Sequence, residues 1–429
     1  MTREVRIVIV GGASTTFTPG LAADLVESEV LSGATLVLYD IDAANVEVMG
    51  KLCRRLATSA RANLTVQTTT ELDRALESAD FLITTVGVGG DAGWRTDIDI
   101  PRKFGVVQTV GDTVGPGGIS RAQRMIPVLL EVARHAERRC PRAMLFNFTN
   151  PMSACCRALT RESTLTVVGL CHGLAGTVRR LARLLGKPAA SLETHAAGIN
   201  HLTWIDLLES DGGDLLPELA ALAGDKGTGQ PVSDTLFEVF GRYPSPGDRH
   251  VGEFFPYFLN DRNEDGKRWN LSTLDTDRVI AGRPEKWQRI HEVAQGTRPV
   301  AEFTGGDSEE VVPIIEALVA GTRHQTVGNL PNAGLIDNLP REAIVEVPVV
   351  VDDGRVRGEA CGTLPTGIAA ISTQHLSAAE LSVQAALTGD RGTLLEAMLV
   401  DPRAASVQDC RRMRDELLAA HAPFLKQYR

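Results

Sequence analysis

The sequence predicts an α/β protein, with a Rossmann-like, doubly wound parallel sheet followed by a C-terminal α+β domain. Short apolar, β-branched runs alternate with helical stretches through the first half, and the first run, Arg6–Val10, leads into a glycine turn. Continuous apolar runs of this length are typical of parallel strands that are buried on both faces. The alternation stops after Trp204. We therefore expect the doubly wound domain to occupy residues 1–195 and a second domain to occupy residues 196–429.

The first strand and the turn after it form an anion-binding corner. Gly11 and Gly12 allow a tight turn, and the residues that follow offer hydroxyl and backbone N–H groups at the start of a helix. The second strand, Thr35–Tyr39, ends in Asp40, whose carboxylate can accept hydrogen bonds from an adenosine ribose and would repel a 2′-phosphate. The corner therefore predicts NAD as cofactor, although the turn lacks the later glycines of a strict GxGxxG motif. Its candidate cofactor residues are Gly11, Gly12, Ala13, Ser14, Thr15 and Asp40.

Further strands of the first half end in turns that should meet at the same edge of the sheet. Phe81–Val86 runs into another glycine turn, and Ala143–Phe148 leads into the sequence NFTNP. Ligands of doubly wound sheets bind outside the carboxyl ends of the strands, so we expect Val86, Gly87 and Asn147 to bind the cofactor there. The other predicted elements are strands over Leu64–Thr68, Thr164–Leu170 and Glu193–His201, and helices over Asp42–Ala60, Glu71–Ser78 and Ala175–Leu185.

A glycine-dense loop, Gly111–Gly118, precedes a predicted helix over Arg121–His135, for which Ser120 is a suitable N-cap. Four glycines within eight residues allow the backbone to approach a ligand closely, and Asp112 lies among them. We expect this loop to be flexible and Asp112 to contribute to the ligand site.

Two short sequences, GLCHG and GINHL, carry a pair of metal ligands. Cys171 offers a thiolate and His201 an imidazole, each near a glycine in an apolar setting. These donors suit a borderline divalent metal, and two protein ligands leave coordination positions for water or substrate oxygens. Open positions are a property of catalytic metal sites, so the pair predicts such a site.

The second half crowds titratable groups into the Pro/Gly-rich segment Phe240–Phe258, where aromatic residues flank them. We therefore expect residues 196–429 to bind substrate, to complete the metal site and to form oligomers. The titratable residues are Tyr243, Asp248, His250 and Glu253, and the other predicted features are a surface excursion over Asp211–Gly229, a strand over Ala343–Val351 and packing helices over Ala378–Leu387 and Arg403–Ala420.

Composition argues against several kinds of partner. The formal net charge is −10 and no basic patch is available, so no nucleic acid is expected. No apolar stretch reaches membrane-spanning length, and the N-terminus enters a strand without a signal-peptide pattern, so no membrane partner is expected. Seven cysteines without repeated spacing fit free thiols in a reducing, cytoplasmic location.

Taken together, eight motifs resemble glycoside hydrolase family 4, the NAD- and divalent-metal-dependent glycosidases. The resemblance implies that NAD oxidises the sugar at C3, a base removes the C2 proton, the glycosidic oxygen leaves C1, water adds and NADH restores C3. It also implies a metal, usually manganese, that binds the 2- and 3-oxygens of the sugar and stabilises the enediolate. In order along the chain, the motifs are GGAS…TPG, LYDID, GDTVGPGG, NFTNP, GLCHG, GINHLTW, RHVGEFFPYF and NLPNAGLIDNLP.

The resemblance assigns roles to individual residues. It makes Cys171 and His201 the ligands of Mn²⁺ or another divalent metal, and it makes Asn150 a substrate-binding residue. It also implies a small-molecule glycoside as the substrate and a homodimer or homotetramer as the assembly. Further candidate substrate-binding residues are Asp112, His250 and Arg249, and either Arg249 or Arg262 could pair with the carboxylate of a uronate.

Two further positions bear on the base and on the substrate class. Asp248 is closest to the base position of α-glucosidase-like members, with Tyr243 as the alternative, and Asp248 could instead be a turn residue. His172 follows the metal cysteine, where members resembling phospho-α-glucosidases have Asp and those resembling phospho-β-glucosidases have Asn. A histidine there is similar to members that act on unphosphorylated α-glucosides, α-galactosides and α-hexuronides. His172 is therefore a candidate general acid or substrate contact, with a purely structural histidine as the alternative.

Two other functions share parts of this pattern. A lactate- or malate-type 2-hydroxy acid dehydrogenase would have the glycine turn, Asp40 and a strand that ends in Asn-Pro, but it needs no metal thiolate. A non-catalytic NAD-sensing protein would need neither the metal pair nor the titratable segment. We therefore predict a glycosidase of unphosphorylated α-linked glycosides or hexuronides, with the dehydrogenase as the alternative.

Overall fold

The computed structural model describes residues 4–273, 275–304, 310–404 and 406–429. One mixed sheet runs through the described residues, and its order is β10-β8-β7-β12-β11-β6-β5-β4-β1-β2-β3, with β13 beside β12 and β9 beside β8. The strands are β1 (Arg6–Val10), β2 (Thr35–Tyr39), β3 (Thr65–Thr69), β4 (Phe81–Thr84), β5 (Met144–Asn147), β6 (Thr166–Gly169), β7 (Glu193–Ile199), β8 (Leu202–Ser210), β9 (Gly213–Asp214), β10 (Tyr243–Ser245), β11 (His324–Pro331), β12 (Ile344–Asp352) and β13 (Arg355–Gly358).

Helices separate most of these strands. They are α1 (Thr18–Glu27), α2 (Ala43–Ala60), α3 (Leu72–Leu76), α4 (Gly90–Arg102), α5 (Gly115–Arg139), α6 (Met152–Glu162), α7 (Gly173–Leu184), α8 (Leu216–Asp225), α9 (Pro231–Phe240), α10 (Asp248–Val251), α11 (Asp275–Gln295), α12 (Val311–Ala320), α13 (Thr366–Thr388), α14 (Arg391–Val400) and α15 (Val407–Ala420).

The first half of the sheet consists of six parallel strands in the order β3-β2-β1-β4-β5-β6. This is the strand order of a doubly wound dinucleotide-binding fold, in which the order reverses between β1 and β4. The predicted fold class is confirmed. Antiparallel strands of the second half extend the same sheet, and β11 joins β6 at a single paired position, Asn329 opposite Gly169.

Burial on both faces explains why β1 has a continuous apolar sequence. Ile7 and Ile9 pack into one hydrophobic cluster, whereas Val8 and Val10 pack into a second cluster on the other face. Alternate residues of a strand point to opposite faces, so a strand with helices on both sides needs an apolar residue at every position.

The helix expected after the glycine-dense loop begins earlier than its sequence suggests. α5 starts at Gly115, so Ser120 lies inside the helix and its prediction as N-cap is wrong. The Gly115 N–H instead donates to the Asp401 carboxylate at 2.8 Å, a contact from a distant part of the chain that local sequence cannot reveal. Ser120 donates to the buried Asp97 carboxylate at 2.8 Å.

The glycines at the start of α5 permit close packing. A Cβ at Gly118 would lie 2.5 Å from the carbonyl carbon of Thr113, and one at Gly117 would lie 2.8 Å from the carbonyl oxygen of Asp97. Because such contacts are too short for a side chain, these positions need glycine for space. The expectation of a flexible loop is therefore wrong for the last four residues of Gly111–Gly118.

Two segments of the second half are more regular than expected. The predicted surface excursion, Asp211–Gly229, contains β9 and α8. Leu219 of α8 is fully buried and anchors this helix to the rest of the protein. The helix predicted over Ala378–Leu387 is the last part of α13. No helix in the described parts of the chain combines the length and the apolar character needed to cross a bilayer.

Candidate active site

A crevice of about 1730 Å³ lies outside the carboxyl ends of the parallel strands. The turns after β1, β2, β4 and β5 form one wall, as the strand order requires. Residues 246–250 and α11, both from the second half of the chain, form the opposite wall. The crevice therefore lies between the two halves of the sequence.

The turn after β1 is held tightly against its neighbouring strands. The N–H groups of Gly11 and Gly12 both donate to the Tyr39 carbonyl, at 3.0 and 2.8 Å. Gly11 has a φ of +92°, and a Cβ there would lie 2.8 Å from the Thr85 carbonyl oxygen. Only glycine fits both the backbone conformation and the space at this position.

The residues after β2 form the candidate adenosine end of the crevice. Asp40 accepts a hydrogen bond of 3.0 Å from the Ala13 N–H, which joins the ends of β1 and β2. The next residue, Ile41, is 87% exposed and lines the crevice. A carboxylate beside an exposed apolar side chain fits a ribose hydroxyl next to an adenine ring. The other predicted cofactor residues on this wall are Ser14, Thr15, Val86 and Gly87.

Two candidate cofactor residues lie beneath the crevice. A Cβ at Gly12 would lie 2.8 Å from the Leu38 Cβ, so this glycine lets the turn pack against β2. Asn147 is fully buried, and its side chain bonds to both the N–H and the carbonyl of Thr149. Asn147, predicted to bind the cofactor, therefore does not line the crevice. Asn147 positions Thr149, whose hydroxyl oxygen accepts a bond of 2.9 Å from the Val86 N–H.

Asp112, His201 and His250 form a group of candidate metal ligands. One ligand atom from each residue lies within 4.8 Å of the other two. The imidazole rings of His201 and His250 have centroids 4.2 Å apart. The Thr113 hydroxyl lies 2.7 Å from both Asp112 Oδ1 and His201 Nδ1, and it thereby links the glycine loop to the GINHL turn.

The charges of this group suit a cation. Burial raises the pKa of the Asp112 carboxyl, but His250, His201 and Arg121 together outweigh burial and lower that pKa to about 2. Burial lowers the pKa of His201 and of His250. The group therefore presents a carboxylate and two neutral imidazoles at neutral pH, which are the forms that bind metals.

Cys171 lines the same crevice but is not a member of this group of three. Burial raises the pKa of its thiol to about 12, and the nearby Glu346 carboxylate contributes to the increase. The Asn200 side chain opposes this increase in the pKa of Cys171, and it donates to Glu346 at 3.0 Å. A bound cation would reverse this balance, because coordination to a metal removes the proton of a thiol.

Two family models together match most of the chain. Residues 6–187 match the family 4 glycosyl hydrolase model, and residues 196–404 match the family 4 glycosyl hydrolase C-terminal domain. The chain belongs to glycosyl hydrolase family 4. This membership confirms the resemblance carried by the eight motifs, and it favours the glycosidase over the dehydrogenase. The chain is thus a glycoside hydrolase of this family.

Relatives within family 4 span nearly the whole chain. An α-galactosidase from Bacillus subtilis (strain 168) is 31% identical over 434 residues, which cover 99% of this chain and 100% of the relative. An α-galacturonidase from the same strain is 33% identical over 427 residues, which cover 93% of each chain.

Solved structures share the fold over the same length. The Bacillus subtilis protein lplD has a TM-score of 0.88 at 31% identity, with 97% of this chain and 100% of that chain covered. A 6-phospho-α-glucosidase from gut microorganisms, solved in complex with NAD and Mn²⁺, has a TM-score of 0.83 at 23% identity. That comparison covers 98% of this chain and 99% of the other.

In this family 4 chain, Asp248 both lines the crevice and caps a helix. Its carboxylate accepts hydrogen bonds from the Val232 N–H at 2.8 Å, the Ser233 N–H at 2.9 Å and the Ser233 hydroxyl at 2.6 Å. Burial raises the pKa of the Asp248 carboxyl, although these donors oppose the shift. The turn-residue alternative thus has a structural basis, since Asp248 fixes the start of α9.

Tyr243 does not reach the crevice. Its side chain is fully buried, and its hydroxyl lies 2.9 Å from the Thr228 hydroxyl and 3.1 Å from Arg180 Nη2. The phenol ring also packs edge-on against Phe237. The structure therefore does not support Tyr243 as the alternative base.

The remaining predicted substrate residues differ in their access to the crevice. His172 is exposed and lines the crevice beside Cys171. Arg249 also lines it, and its buried Nε has no hydrogen-bond partner among the described residues. Arg262 is exposed and lies outside the crevice lining.

Two carboxylates that sequence analysis did not assign to the site hold it in place. Glu253 Oε1 accepts hydrogen bonds from the three consecutive N–H groups of residues 109–111, immediately before Asp112. Glu346 accepts a hydrogen bond from Asn200, and Asn200 lies in the turn that carries His201. Glu253 belongs to the titratable segment noted above, whereas Glu346 sits in an apolar strand sequence with no motif that marks it.

Helix α11 supplies crevice residues that no motif indicates. Val279, Arg283, Lys286 and Trp287 line the crevice at helical spacings of four, three and one. These spacings place the four side chains on one face of α11. The sequence marks these four crevice residues only by this spacing, which is common to many amphipathic helices.

Proposed function

We propose that this family 4 hydrolase cleaves unphosphorylated α-galactosides or α-galacturonides. The observation that carries the proposal is the exposed His172 beside Cys171 at the crevice. This position differs from the Asp or Asn of the members that resemble phosphoglucosidases, and an imidazole there can donate a hydrogen bond to a leaving-group oxygen. The α-galactosidase and the α-galacturonidase that resemble this chain over nearly their full length support the same substrate class.

The site residues fit both cofactors. Asp112, His201, His250 and Cys171 supply the oxygen, nitrogen and sulfur donors that a borderline divalent cation accepts, and the buried His250 Nδ1 has no hydrogen-bond partner among the described residues. Asp40 and the Gly11 turn fit the adenosine and pyrophosphate parts of NAD. When bound, NAD supplies reversible hydride transfer and the cation supplies Lewis acidity.

We infer that Asp248 is the proton acceptor and that His172 donates a proton to the leaving group. Three donors hold the Asp248 carboxylate in one orientation and occupy three of its roughly four acceptor positions. Burial raises the pKa of this carboxyl, which increases its tendency to accept a proton. Asn150, which lines the crevice next to Asp112, is assigned to the sugar hydroxyls.

Arg249 favours the galacturonide among the two substrates. Arg249 lines the crevice, as does His250, and its buried Nε–H has no protein acceptor in the described structure. A substrate carboxylate would satisfy this donor through a charge-assisted hydrogen bond. A neutral galactoside would leave the donor to water.

The substrate proposal can be tested with p-nitrophenyl α-galactoside, its 6-phosphate and p-nitrophenyl α-galacturonide, each with and without NAD and Mn²⁺. We expect release of nitrophenol from the two unphosphorylated substrates only when both cofactors are present. Preference for the 6-phosphate would contradict the role of His172. Arg249→Gln should raise KM for the galacturonide by at least about tenfold and leave the galactoside nearly unchanged. The matched control is Arg262→Gln, which removes an exposed arginine outside the crevice.

Three broader features complete the proposal. We propose that residues 1–195 bind the cofactor and that residues 196–429 bind substrate, which the separate family matches over residues 6–187 and 196–404 support. We also propose a homodimer or homotetramer, supported by family membership and testable by light scattering. Seven free cysteines support a reducing, cytoplasmic location.

A further inference from the structure

We propose that Arg283 of α11 binds the pyrophosphate of NAD, so that the second half of the chain retains the cofactor bound by the first. Arg283 Nε donates to Asp91 at 2.6 Å, and Arg283 Nη1 donates to the Thr15 hydroxyl at 3.4 Å. Thr15 belongs to the turn after β1, and Asp91 lies in the first turn of α4, just after β4. The guanidinium therefore spans the switch point of the sheet, where a dinucleotide pyrophosphate binds.

The position of the guanidinium suits an anion. Arg283, Thr15 and Asp91 all line the crevice, and the Arg283 and Asp91 side chains are each 31% exposed. The two contacts use two of the five N–H donors of the guanidinium, so the planar group can also bind phosphate oxygens. Lys286, one helical turn along the same face of α11, adds a further positive charge to this wall.

The helix that carries Arg283 is firmly packed. Ile290 and Val293 in its second half are fully buried in the hydrophobic cluster that also contains Ile7 and Ile9 of β1, and α11 packs along α2. Trp287 packs against the same cluster. Arg283 is thus carried by a rigid helix that faces the glycine turn across the crevice. Its ion pair with Asp91 orients the guanidinium before the cofactor binds.

Retention of the cofactor has a clear use in this enzyme. If the bound cofactor supplies reversible hydride transfer, the hydride taken from a sugar would have to return to the same sugar, so dissociation of the cofactor before that return would leave an oxidised product. A cationic side chain over the pyrophosphate slows dissociation, because it adds a charge-assisted hydrogen bond to the bound state. This inference rests on cofactor binding in the family and is independent of which glycoside is cleaved.

The test compares ligands with and without the pyrophosphate. Trp94 and Trp287 line the crevice, so tryptophan fluorescence can report Kd for NAD, ADP-ribose and adenosine, all measured without sugar. We expect Arg283→Ala to weaken NAD and ADP-ribose by about 10- to 100-fold, as for the loss of a hydrogen bond to a charged group, and to leave adenosine unchanged. Arg283→Lys should fall between, because lysine keeps the charge without the planar fork. NADH dissociation, followed by stopped-flow displacement with ADP-ribose, should accelerate in Arg283→Ala.

A matched control separates this role from a general loss of charge. Arg298 follows α11, forms ion pairs with Glu292 and Glu302, and lies outside the crevice lining. Arg298→Ala should keep Kd for NAD within about twofold of the wild type, as expected for an exposed pair. An unchanged Kd for NAD in Arg283→Ala, or an equal loss of adenosine affinity, would overturn the proposal. Since no glycoside is present, failure of the galactoside or galacturonide assay would not affect this result.

Discussion

The side-chain amide of Asn150 donates a hydrogen bond of 3.1 Å to the carboxylate of Asp112. Asn150 follows β5, whereas Asp112 lies in the loop before α5, and Arg121 of α5 donates to the Asn150 carbonyl at 3.1 Å. The candidate sugar-binding amide and a candidate metal ligand are therefore part of one hydrogen-bonded unit. Movement of either side chain must change the position of the other.

We expect Asp112→Asn to reduce Mn²⁺ affinity by at least about tenfold, because it removes the only carboxylate of the three-residue ligand group while preserving its shape. Mn²⁺ binding can be measured by electron paramagnetic resonance, and Kd for NAD should stay the same. Asp73→Asn is the charge-matched control, since Asp73 pairs with Arg139 and His135 outside the crevice. Equal Mn²⁺ affinity in the wild type and Asp112→Asn would exclude Asp112 as a ligand.

Much of the parallel sheet could be predicted from sequence because its strands carry their own pattern. The bounds of β1 and β2 equal the predicted runs Arg6–Val10 and Thr35–Tyr39, since burial on both faces demands an apolar residue at nearly every position. The start of α5 could not be predicted, because Asp401 caps it from the far end of the chain. A tertiary contact there replaces the local cap that Ser120 would supply.

The candidate site was harder to predict than the fold, for a related reason. Motifs indicated Cys171 and His201, but the structure groups His201 with Asp112 and His250. These side chains come from separate segments of the chain, and only the folded sheet brings them together. Likewise, the spacing around Tyr243 gave no sign that its hydroxyl would turn towards Thr228 and away from the crevice.

We expect Glu346→Ala to lower the free energy of unfolding by at least about 2 kcal/mol, because it leaves buried donors without an acceptor. Glu346 is 4% exposed and accepts hydrogen bonds from Asn200 at 3.0 Å and Asn329 at 2.9 Å. Glu346→Gln should cost less, since the amide oxygen keeps one acceptor. Urea denaturation of the cofactor-free protein measures the change.

A neighbouring exposed residue provides the control for Glu346. Glu342→Ala removes the same chemical group four residues earlier in the chain, at an exposed position. Its effect should stay within about 0.5 kcal/mol. If the two alanine variants were equally stable, the buried network around Glu346 would contribute nothing to folding.

We expect the ion pair of His195 with Asp206 to stabilise the protein in a defined pH range. Their side chains are 2.5 Å apart, and the pKa of His195 is raised from 6.5 to about 10, first by Asp206 and then by Cys361. Because the folded state holds this proton more tightly than the unfolded state, the stabilisation is complete below about pH 6.5 and is lost as the pH rises through about 10. Both side chains are about one-third exposed, so screening by solvent limits the effect to about 1 kcal/mol.

Thermal unfolding of His195→Gln at several pH values measures this contribution. The difference in Tm from the wild type should be largest near about pH 6 and should shrink towards zero above about pH 10. Asp206→Asn removes the same pair from the other side and should show the same pH dependence. A Tm difference that does not vary with pH would mean that His195 contributes by packing alone.

We expect Asp248→Asn to separate catalysis from helix capping. The Val232 N–H bonds to Oδ2 of Asp248 and the Ser233 N–H to Oδ1, so the single amide oxygen of asparagine can replace only one of these acceptors. We therefore expect α9 to keep part of its cap and Tm to fall less than in Asp248→Ala. It cannot act as a carboxylate base, so turnover should fall by at least about 100-fold, while Kd for NAD and for Mn²⁺ stays near the wild-type value. Asp248→Ala should lose the same activity and, in addition, about 1 kcal/mol of stability from the lost cap.

The control for Asp248 is an acidic side chain on α9, the helix that Asp248 caps. Asp234 of α9 accepts hydrogen bonds from the Thr228 N–H and hydroxyl, at 2.7 and 2.6 Å, and lies outside the crevice lining. Asp234→Asn should therefore leave turnover almost unchanged, since Asp234 lies outside the crevice lining. Near-normal turnover in Asp248→Asn would show that Asp248 serves α9 alone, and the base would then have to be sought among the other crevice residues, with His172 as the first candidate because it is the exposed imidazole on that wall.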